Sequence, residues 1–411
     1  MKMMRSVSRA FFWLFLIFSI AVFIMIFLLN AKISDNYKVN SLEELDLNTR
    51  IPVTAVYNGY RDEAETENDT YRVNLKMFGI IPFSSTTVQV VDKMQVAVLG
   101  SPFGIKIYTE GVLVVDIKGV KTDGATVETA KSAGLKTGDY ILSVDGNKIF
   151  SNEDLAELVE KSEGKQMTFA ILRANKKLTV RVKPVKEAES GKYRVGIWVR
   201  DSSAGIGTLT FYSPYNNVIC GLGHDISDID TGERLNISSG EMVNAEIISV
   251  KKGKSGEPGE LVGEFSYDVI SKELANENDG IYGKISGDLK ISSLTEVALK
   301  QEVKNGNAQI LATVKGDTPK LYSCNIYILP NAYKSKSQNY IVTVTDNELL
   351  NMTGGIVQGM SGSPILQNGK LVGAVTHVFL EDSTKGYGIF AENMLDTANR
   401  ISGKTELKKA S

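Results

Sequence analysis

The sequence predicts a mainly β protein held at a membrane by one N-terminal helix. Three observations carry that expectation. Ala10–Leu29 is a run of 20 residues with one Ser and no charge. Beyond residue 190 the chain becomes a succession of short strand-like runs cut by turn signals. Gly359–Pro364 reads Gly-Met-Ser-Gly-Ser-Pro between two apolar runs, a pattern that suits a serine presented on a tight turn.

At 411 residues the chain has room for about two or three domains. Lys+Arg number 46 against 48 Asp+Glu, a balance that points to neither nucleic acid nor a strongly acidic partner. Two cysteines (Cys220, Cys324) and two histidines (His224, His377) exclude a disulfide scaffold and allow at most one bridge. They also lack the four ligands at metal spacing that a zinc site needs, so neither metal nor cofactor is expected.

Lys2, Arg5 and Arg9 precede the apolar run. Twenty helical residues at about 1.5 Å each span about 30 Å, the thickness of a bilayer core. The positive flank predicts a cytoplasmic N-terminus and a body on the far side. A cleaved signal peptide is the competing reading. Its apolar region is usually about 7–15 residues with a small-x-small site after it. The longer run, with no such site at Leu29–Ile33, favours an uncleaved anchor over residues 1–30.

Residues 31–99 read as a linker and a small β region, with strand-like runs at Ile51–Tyr57, Tyr71–Phe78 and Thr86–Leu99. The acidic stretch Arg61–Thr70 between them reads as a solvated loop. Residues 100–185 are more specific. A strand, a turn at Glu110–Gly111 and a second strand lead to a Gly-Asp turn, another strand and an Asp-Gly hairpin. Ser151 with Asp154 three residues on is a capping box, and Leu155, Leu158 and Val159 share one face of the helix it starts. Met167–Arg173 and Lys177–Val182 then pair across a short turn. Ala-Gly-Leu-x-x-Gly-Asp-x-Ile-Leu-x-x-Asp-Gly at Ala133–Gly146 resembles PDZ domains of the bacterial protease-associated type. Such domains add an extended peptide to an open sheet edge. The resemblance implies a loop of free N–H groups at Pro102–Ile105, with donors from Phe103, Gly104 and Ile105. It places Ile105, Ile107 and Leu155 in the side-chain pocket.

Lys186–Lys192 reads as a linker, and residues 190–411 as two packed barrels or a sandwich closed by a helix at Ile389–Arg400. A serine hydroxyl needs a base to take its proton, and the usual base is a neutral histidine oriented by a third group. Ser361 is the candidate nucleophile. The N–H groups of Gly359 and Ser361 are the candidate oxyanion donors. His224 follows a β run and a Gly-Leu-Gly turn, which makes it the first choice of base; His377 lies inside the strand after the nucleophile turn.

Histidine first, nucleophile last and β surroundings resemble chymotrypsin-like serine peptidases, with Met360 standing where trypsin-like enzymes carry Asp. The anchor, the PDZ-like segment, GLGHD, GIVQGMSGSPILQNGKLVGAVTHVF and GYGIF together resemble the stage IV sporulation protein B peptidases of spore-forming bacteria. That resemblance implies a chymotrypsin-like double β-barrel and a serine endopeptidase in the space between forespore and mother cell. It implies cleavage of the enzyme itself and of a membrane-bound regulatory protein, which activates an intramembrane protease and sigma factor processing. It also implies Asp346, after Thr345, as the carboxylate that orients His224. The rivals Asp225, Asp228 and Asp230 lie beside His224 and read more simply as loop caps. The other class of function is an inactive, membrane-tethered PDZ scaffold.

Overall fold

The computed structural model describes residues 2–41, 45–47, 49, 51–57, 70–285, 291 and 293–409; the acidic stretch at 61–69 lies outside them. The apolar run lies within one helix, Lys2–Lys32. Its stretch Phe11–Ala31 has a mean hydropathy of 3.0 and is only 6 % buried, so it is long and apolar enough to cross a membrane. A bare apolar rod of this length suits lipid and is costly in water. It can serve as an anchor or as a signal.

Four strands follow, in the spatial order Asn36–Val39, Ile81–Val90, Thr70–Met77 and Val53–Tyr57. Their core shows the period of two that a one-sided sheet demands: Val73, Leu75 and Met77 are all fully buried.

The strand Pro102–Ile117 organises what comes next. Along its length it pairs with Ile197–Ser213, from Ile117↔Ile197 to Pro102↔Thr208. Its first half also pairs with Ile237–Lys251, and its second half with Tyr140–Val144. That second half belongs to a small unit with Met167–Arg173, Lys176–Val182 and the helix Asn152–Lys161. Val112, Ile141, Leu155, Val159, Phe169 and Ile171 fill this unit's core. The helix starts as the sequence indicates: Asp154 N–H donates to Ser151 Oγ, and Ser151 N–H donates to Asp154 Oδ2.

The remaining chain forms two lobes. The first is a sheet in which Ile197–Ser213 runs beside Val218–Gly221, which pairs in turn with Gly280–Lys284. The second is a closed six-stranded barrel, in the order Gly306–Ala312, Lys320–Ile328, Tyr340–Val344, Lys385–Phe390, Lys370–Val378 and Pro364–Gln367. Ile310, Tyr340, Val342, Ile365, Val375 and Phe390 fill it. The chain is thus mainly β, with an N-terminal apolar helix, a PDZ-type unit and two β lobes, one of them a closed barrel. Cys220 and Cys324 are both buried and free, so they do not form the bridge the sequence allows.

Candidate active site

Ser361 stands on a turn just before the barrel strand Pro364–Gln367. Gly359 (φ +96°) and Gly362 (φ +93°) both lie in the left-handed region that favours glycine. A Cβ on Gly362 would sit 2.0 Å from the Thr208 carbonyl, so the two lobes touch here. Three bonds cross that junction. Thr208 N–H donates to the Ser361 carbonyl (2.9 Å), Thr208 Oγ1 to the Gly359 carbonyl (2.8 Å), and Thr210 Oγ1 to the Gly362 carbonyl (2.7 Å). Gln358, Met360, Gly362 and Ser363 all spend their N–H groups on backbone carbonyls. Among the described residues, Gly359 N–H and Ser361 N–H have no acceptor. The Ser361 hydroxyl donates to the Thr376 carbonyl at 2.6 Å. Met360 points the other way and is fully buried in the barrel core.

His224 is delivered from the first lobe. The strand Val218–Gly221 ends, and Leu222 and Gly223, both with positive φ, turn the chain toward the barrel. The His224 Nδ1 lies 2.7 Å from the Asp225 carbonyl. A carbonyl only accepts, so Nδ1 carries the proton and Nε2 is left as the basic nitrogen. Burial pushes the His224 pKa below 6.5, against the opposing pull of the Asp225 carbonyl, so the ring is neutral at pH 7. The His377 ring packs on it, centroids 4.3 Å apart. Burial first, then the neighbouring His224, hold His377 down at about 4.

His224, Ser361, Gly359, Thr376 and His377 line one cleft of about 510 Å³. Its walls include Ile105, Ile107, Leu222, Ile356, Val357 and Leu380, a surface that suits an apolar side chain beside the reacting carbonyl.

Two sequence expectations are corrected here. Asp346 is not brought to His224. It caps the helix Asn347–Thr353, with its carboxylate accepting from the N–H groups of Glu348 (2.9 Å), Leu349 (3.1 Å) and Ser323 (3.2 Å). Despite some loss of water, those donors hold its carboxyl below the usual range. An Asp that opens a helix is a ready cap, and the cap takes it here. The rivals are also engaged elsewhere: Asp228, buried, and Asp230 both pair with Arg200, tying the histidine loop to the strand Ile197–Ser213. Among the described residues, the hydrogen-bond partner of the imidazole is the main-chain carbonyl of Asp225.

The second correction concerns Phe103, Gly104 and Ile105. They do not form a free loop. They lie inside a strand paired on both sides, Gly104 with Ile206 and with Val243, and Phe103 is fully buried. A side chain on Gly104 would meet the Phe265 ring at 2.5 Å. Ile105 and Ile107 line the cleft that holds Ser361 and His224, while Leu155 lines a different cleft in the PDZ-type unit. Sequence reasoning missed Thr208, Thr376 and the Asp225 carbonyl. Two of these act through main-chain atoms, which no residue pattern marks, and Thr208 lies in an ordinary Thr-Leu-Thr-Phe alternation.

Residues 191–395 match the family described as SpoIVB peptidase S55, and residues 88–183 match the PDZ domain family. The chain is 39 % identical over 67 residues to the regulator of sigma-W protease RasP of Bacillus subtilis, covering 16 % of this chain and 16 % of that protein's length. Among solved structures, the PDZ domain of the SdrC-like protein Lmo2051 from Listeria monocytogenes aligns with 22 % identity and a TM-score of 0.18. That alignment covers 22 % of this chain and 87 % of that one. The thermostable serine protease AL20 from an extremophilic microorganism aligns with 14 % identity and a TM-score of 0.30, covering 49 % of this chain and 92 % of that one. The chain thus carries a segment that matches the PDZ domain family, followed by one that matches the SpoIVB S55 peptidase family.

Proposed function

We propose that the protein is a membrane-anchored serine endopeptidase in which Ser361 is the nucleophile and His224 the general base. The observation that carries this reading is the pair of unspent donors, Gly359 N–H and Ser361 N–H, on a cleft that also holds the imidazole and the hydroxyl. In the resting arrangement the hydroxyl is parked on the Thr376 carbonyl. Rotation about the serine Cα–Cβ bond frees it, and His224 Nε2 takes its proton as Oγ attacks the scissile carbonyl. The developing oxyanion is met by the two N–H groups, which need no reorganisation because the turn already fixes them. The imidazolium that forms is held in register by the Asp225 carbonyl, and it returns the proton to the leaving amine. Catalysis thus runs on a Ser–His dyad oriented by the main chain, and Asp346 serves it only by fixing the helix that leads into the nucleophile turn.

The match of residues 191–395 to the SpoIVB S55 peptidase family supports a wider role. In that reading the N-terminus is cytoplasmic and the body lies between the forespore and mother cell membranes. There the enzyme cleaves itself and a membrane-bound regulatory protein, which releases an intramembrane protease toward sigma factor processing. The competing scaffold role gains nothing from donors left unpaired around a serine. A fluorophosphonate probe decides between them. The full chain in detergent should label at Ser361, and Ser361→Ala should lose both label and self-processing, a drop of at least about four orders of magnitude in rate. Normal self-processing by Ser361→Ala would end the proposal.

A further inference from the structure

One end of the four-stranded sheet after the N-terminal helix is made of apolar residues alone. Ile51-Pro52-Val53 leads into one strand there, and Met77-Phe78-Gly79-Ile80-Ile81-Pro82-Phe83 turns between Thr70–Met77 and Ile81–Val90. Val53 pairs with Met77 and Met77 with Ile81, so these stretches meet at that end. Phe78 is 52 % exposed and Ile80 78 %. Phe78 (φ +52°) and Gly79 (φ +74°) fill the two left-handed positions of a tight hairpin turn, where Asn-Gly is the favoured pair. A Phe at that place is strained as well as bare, and water rewards neither. The turn's polar backbone is largely spent. Phe78 N–H donates to the Pro52 carbonyl (2.9 Å) and Ile80 N–H to the Met77 carbonyl (3.2 Å), while Pro52 and Pro82 carry no N–H. A hairpin that enters hydrocarbon needs that economy of donors.

Strand pairing puts this apolar end on the helix side of the sheet. The helix Lys2–Lys32 leads directly into Asn36–Val39, which runs parallel to Ile81–Val90 with Asn36 opposite Thr87. Thr87 N–H donates to the Asp35 carbonyl (3.0 Å) and pins the joint. Both strands run away from the helix, and Ile81 lies six residues before Thr87. The turn therefore reaches about 20 Å back past the point where the helix joins the sheet. The helix shows a matching overlap. Every residue from Phe11 to Ala21 is exposed, whereas Val22, Met25, Ile26, Leu29 and Ile33, on one helical face, are partly or fully covered. That covered face is about 17 Å long. Ile33 shares a core with Tyr37, Val73, Leu75 and Val88, and Phe83 packs against it.

We propose that the turn carrying Phe78 and Ile80, with the Ile51–Val53 edge beside it, enters the same phospholipid bilayer that holds the helix. It gives the body a second foothold in the lipid. Lys76, opposite Pro82 and half-buried, stands where a long side chain reaches back to the phosphates. The sheet is tied to the segment leading into the barrel: Gln301 Nε2 donates to the Lys38 carbonyl, and Lys304 pairs with Asp46 at 2.6 Å. Two footholds fix how the peptidase lobe stands over the membrane, where one helix alone would let it swivel. The proposal rests on reading the helix as a retained anchor, and the test separates the two.

The test uses the full chain in vesicles of phosphatidylcholine and phosphatidylglycerol. Ile80→Cys carries a nitrobenzoxadiazole label, which Cys220 and Cys324 do not take up because both are buried. The same label goes on Phe18→Cys, in the bare part of the helix, and on Tyr267→Cys, fully exposed on Glu260–Ser271. Nitroxides on the lipid acyl chains should quench the Ile80 label at least threefold more than the Tyr267 label, and iodide in the water at least threefold less. Phe78→Asn with Ile80→Ser turns the tip into a favoured Asn-Gly hairpin. In that background a label on Pro82→Cys should lose its lipid quenching at least threefold, while the melting temperature in detergent holds or rises. An Ile80 label that behaves like the Tyr267 label, with Phe18 quenched by lipid, overturns the foothold and leaves the anchor. Lipid quenching at Ile80 but not at Phe18 overturns the anchor and leaves the foothold; quenching at neither overturns both. Unchanged quenching at Pro82 in the Asn-Gly background overturns the role of Phe78 and Ile80.

Discussion

Ser361 sits on a closed six-stranded barrel built between Gly306 and Phe390, whereas His224 hangs from a larger sheet that does not close on itself. In the barrel, Pro364–Gln367 pairs with Lys370–Val378 across a short turn. In the sheet, Gly104 has Ile206 on one side and Val243 on the other. The strands next to the two side chains each have one hairpin partner and one distant partner: Pro364–Gln367 pairs with Lys370–Val378 and Gly306–Ala312, and Val218–Gly221 pairs with Ile197–Ser213 and Gly280–Lys284. The barrel differs in leaving no open edge. The cleft that holds Ser361 and His224 lies where the two meet, at the contacts of Thr208 and Thr210 with the turn.

The largest break in this comparison should come from a wedge at that meeting point. In Gly362→Val the new Cβ would lie 2.0 Å from the Thr208 carbonyl and 2.4 Å from the Leu222 nitrogen, at φ +93°. The lobes must part, at a cost of about 3 kcal/mol or more. Labelling of Ser361 should vanish and the melting temperature should fall. Gly369→Ala is the control inside the barrel. It also has positive φ (+77°) but nothing within 4 Å, so it should cost only about 1 kcal/mol and leave labelling intact.

The same contrast decides what can be read from sequence. Gly-Met-Ser-Gly-Ser-Pro and the capping box at Ser151 are local statements, and both are visible as residue types at fixed spacing. His224 is legible because the chain has only two histidines. Phe103–Ile105 misleads because the same apolar alternation serves a loop-edge strand and a doubly paired one. Which it becomes depends on Ile237–Lys251, far along the chain. Asp346 misleads because a carboxylate after a strand suits a triad or a helix cap equally well. Only the position of Asn347–Thr353 settles it.

A smaller effect should follow from loosening the junction without a clash. Thr208→Val keeps the shape and the backbone bond to Ser361 but drops the hydroxyl bond to the Gly359 carbonyl. One such bond is worth about 1 kcal/mol, so peptidase kcat should fall about tenfold with little change in melting temperature. No change in kcat would mean the turn holds its shape from the barrel side alone.

Smaller again is the expected effect at Asp346. Asp346→Asn keeps an acceptor for the helix N–H groups, so activity should stay within about threefold. Asp346→Ala should cost about 1 kcal/mol of stability through the lost cap. A triad carboxylate behaves differently: where a serine protease depends on one, changing that Asp to Asn favours the wrong imidazole tautomer and lowers kcat by about 10⁴. A drop of that size in Asp346→Asn, with the melting temperature kept, would show that the loop rearranges to bring this carboxylate to His224 during catalysis.

The finest test asks what keeps His224 neutral. The ring must be unprotonated to accept the serine proton, so the rate should fall as pH drops through its pKa. Burial is the main cause that lowers this pKa, and the Asp225 carbonyl opposes it. The acid limb of kcat/KM should therefore lie below pH 6.5, with the protein active at a pH where an ordinary histidine is half charged. His377 covers one side of the ring at 4.3 Å. Burial first, then the neighbouring His224, hold His377 down at about 4, so it is uncharged near neutral pH and acts there as a cover that keeps water out. His377→Ala should let water reach His224 and move the acid limb up toward 6.5. His377→Phe keeps a ring in place and should leave the limb where it is. If Phe moved the limb as far as Ala does, the cover would be irrelevant, and the low pKa would have to come from charge or hydrogen bonding on the His224 loop.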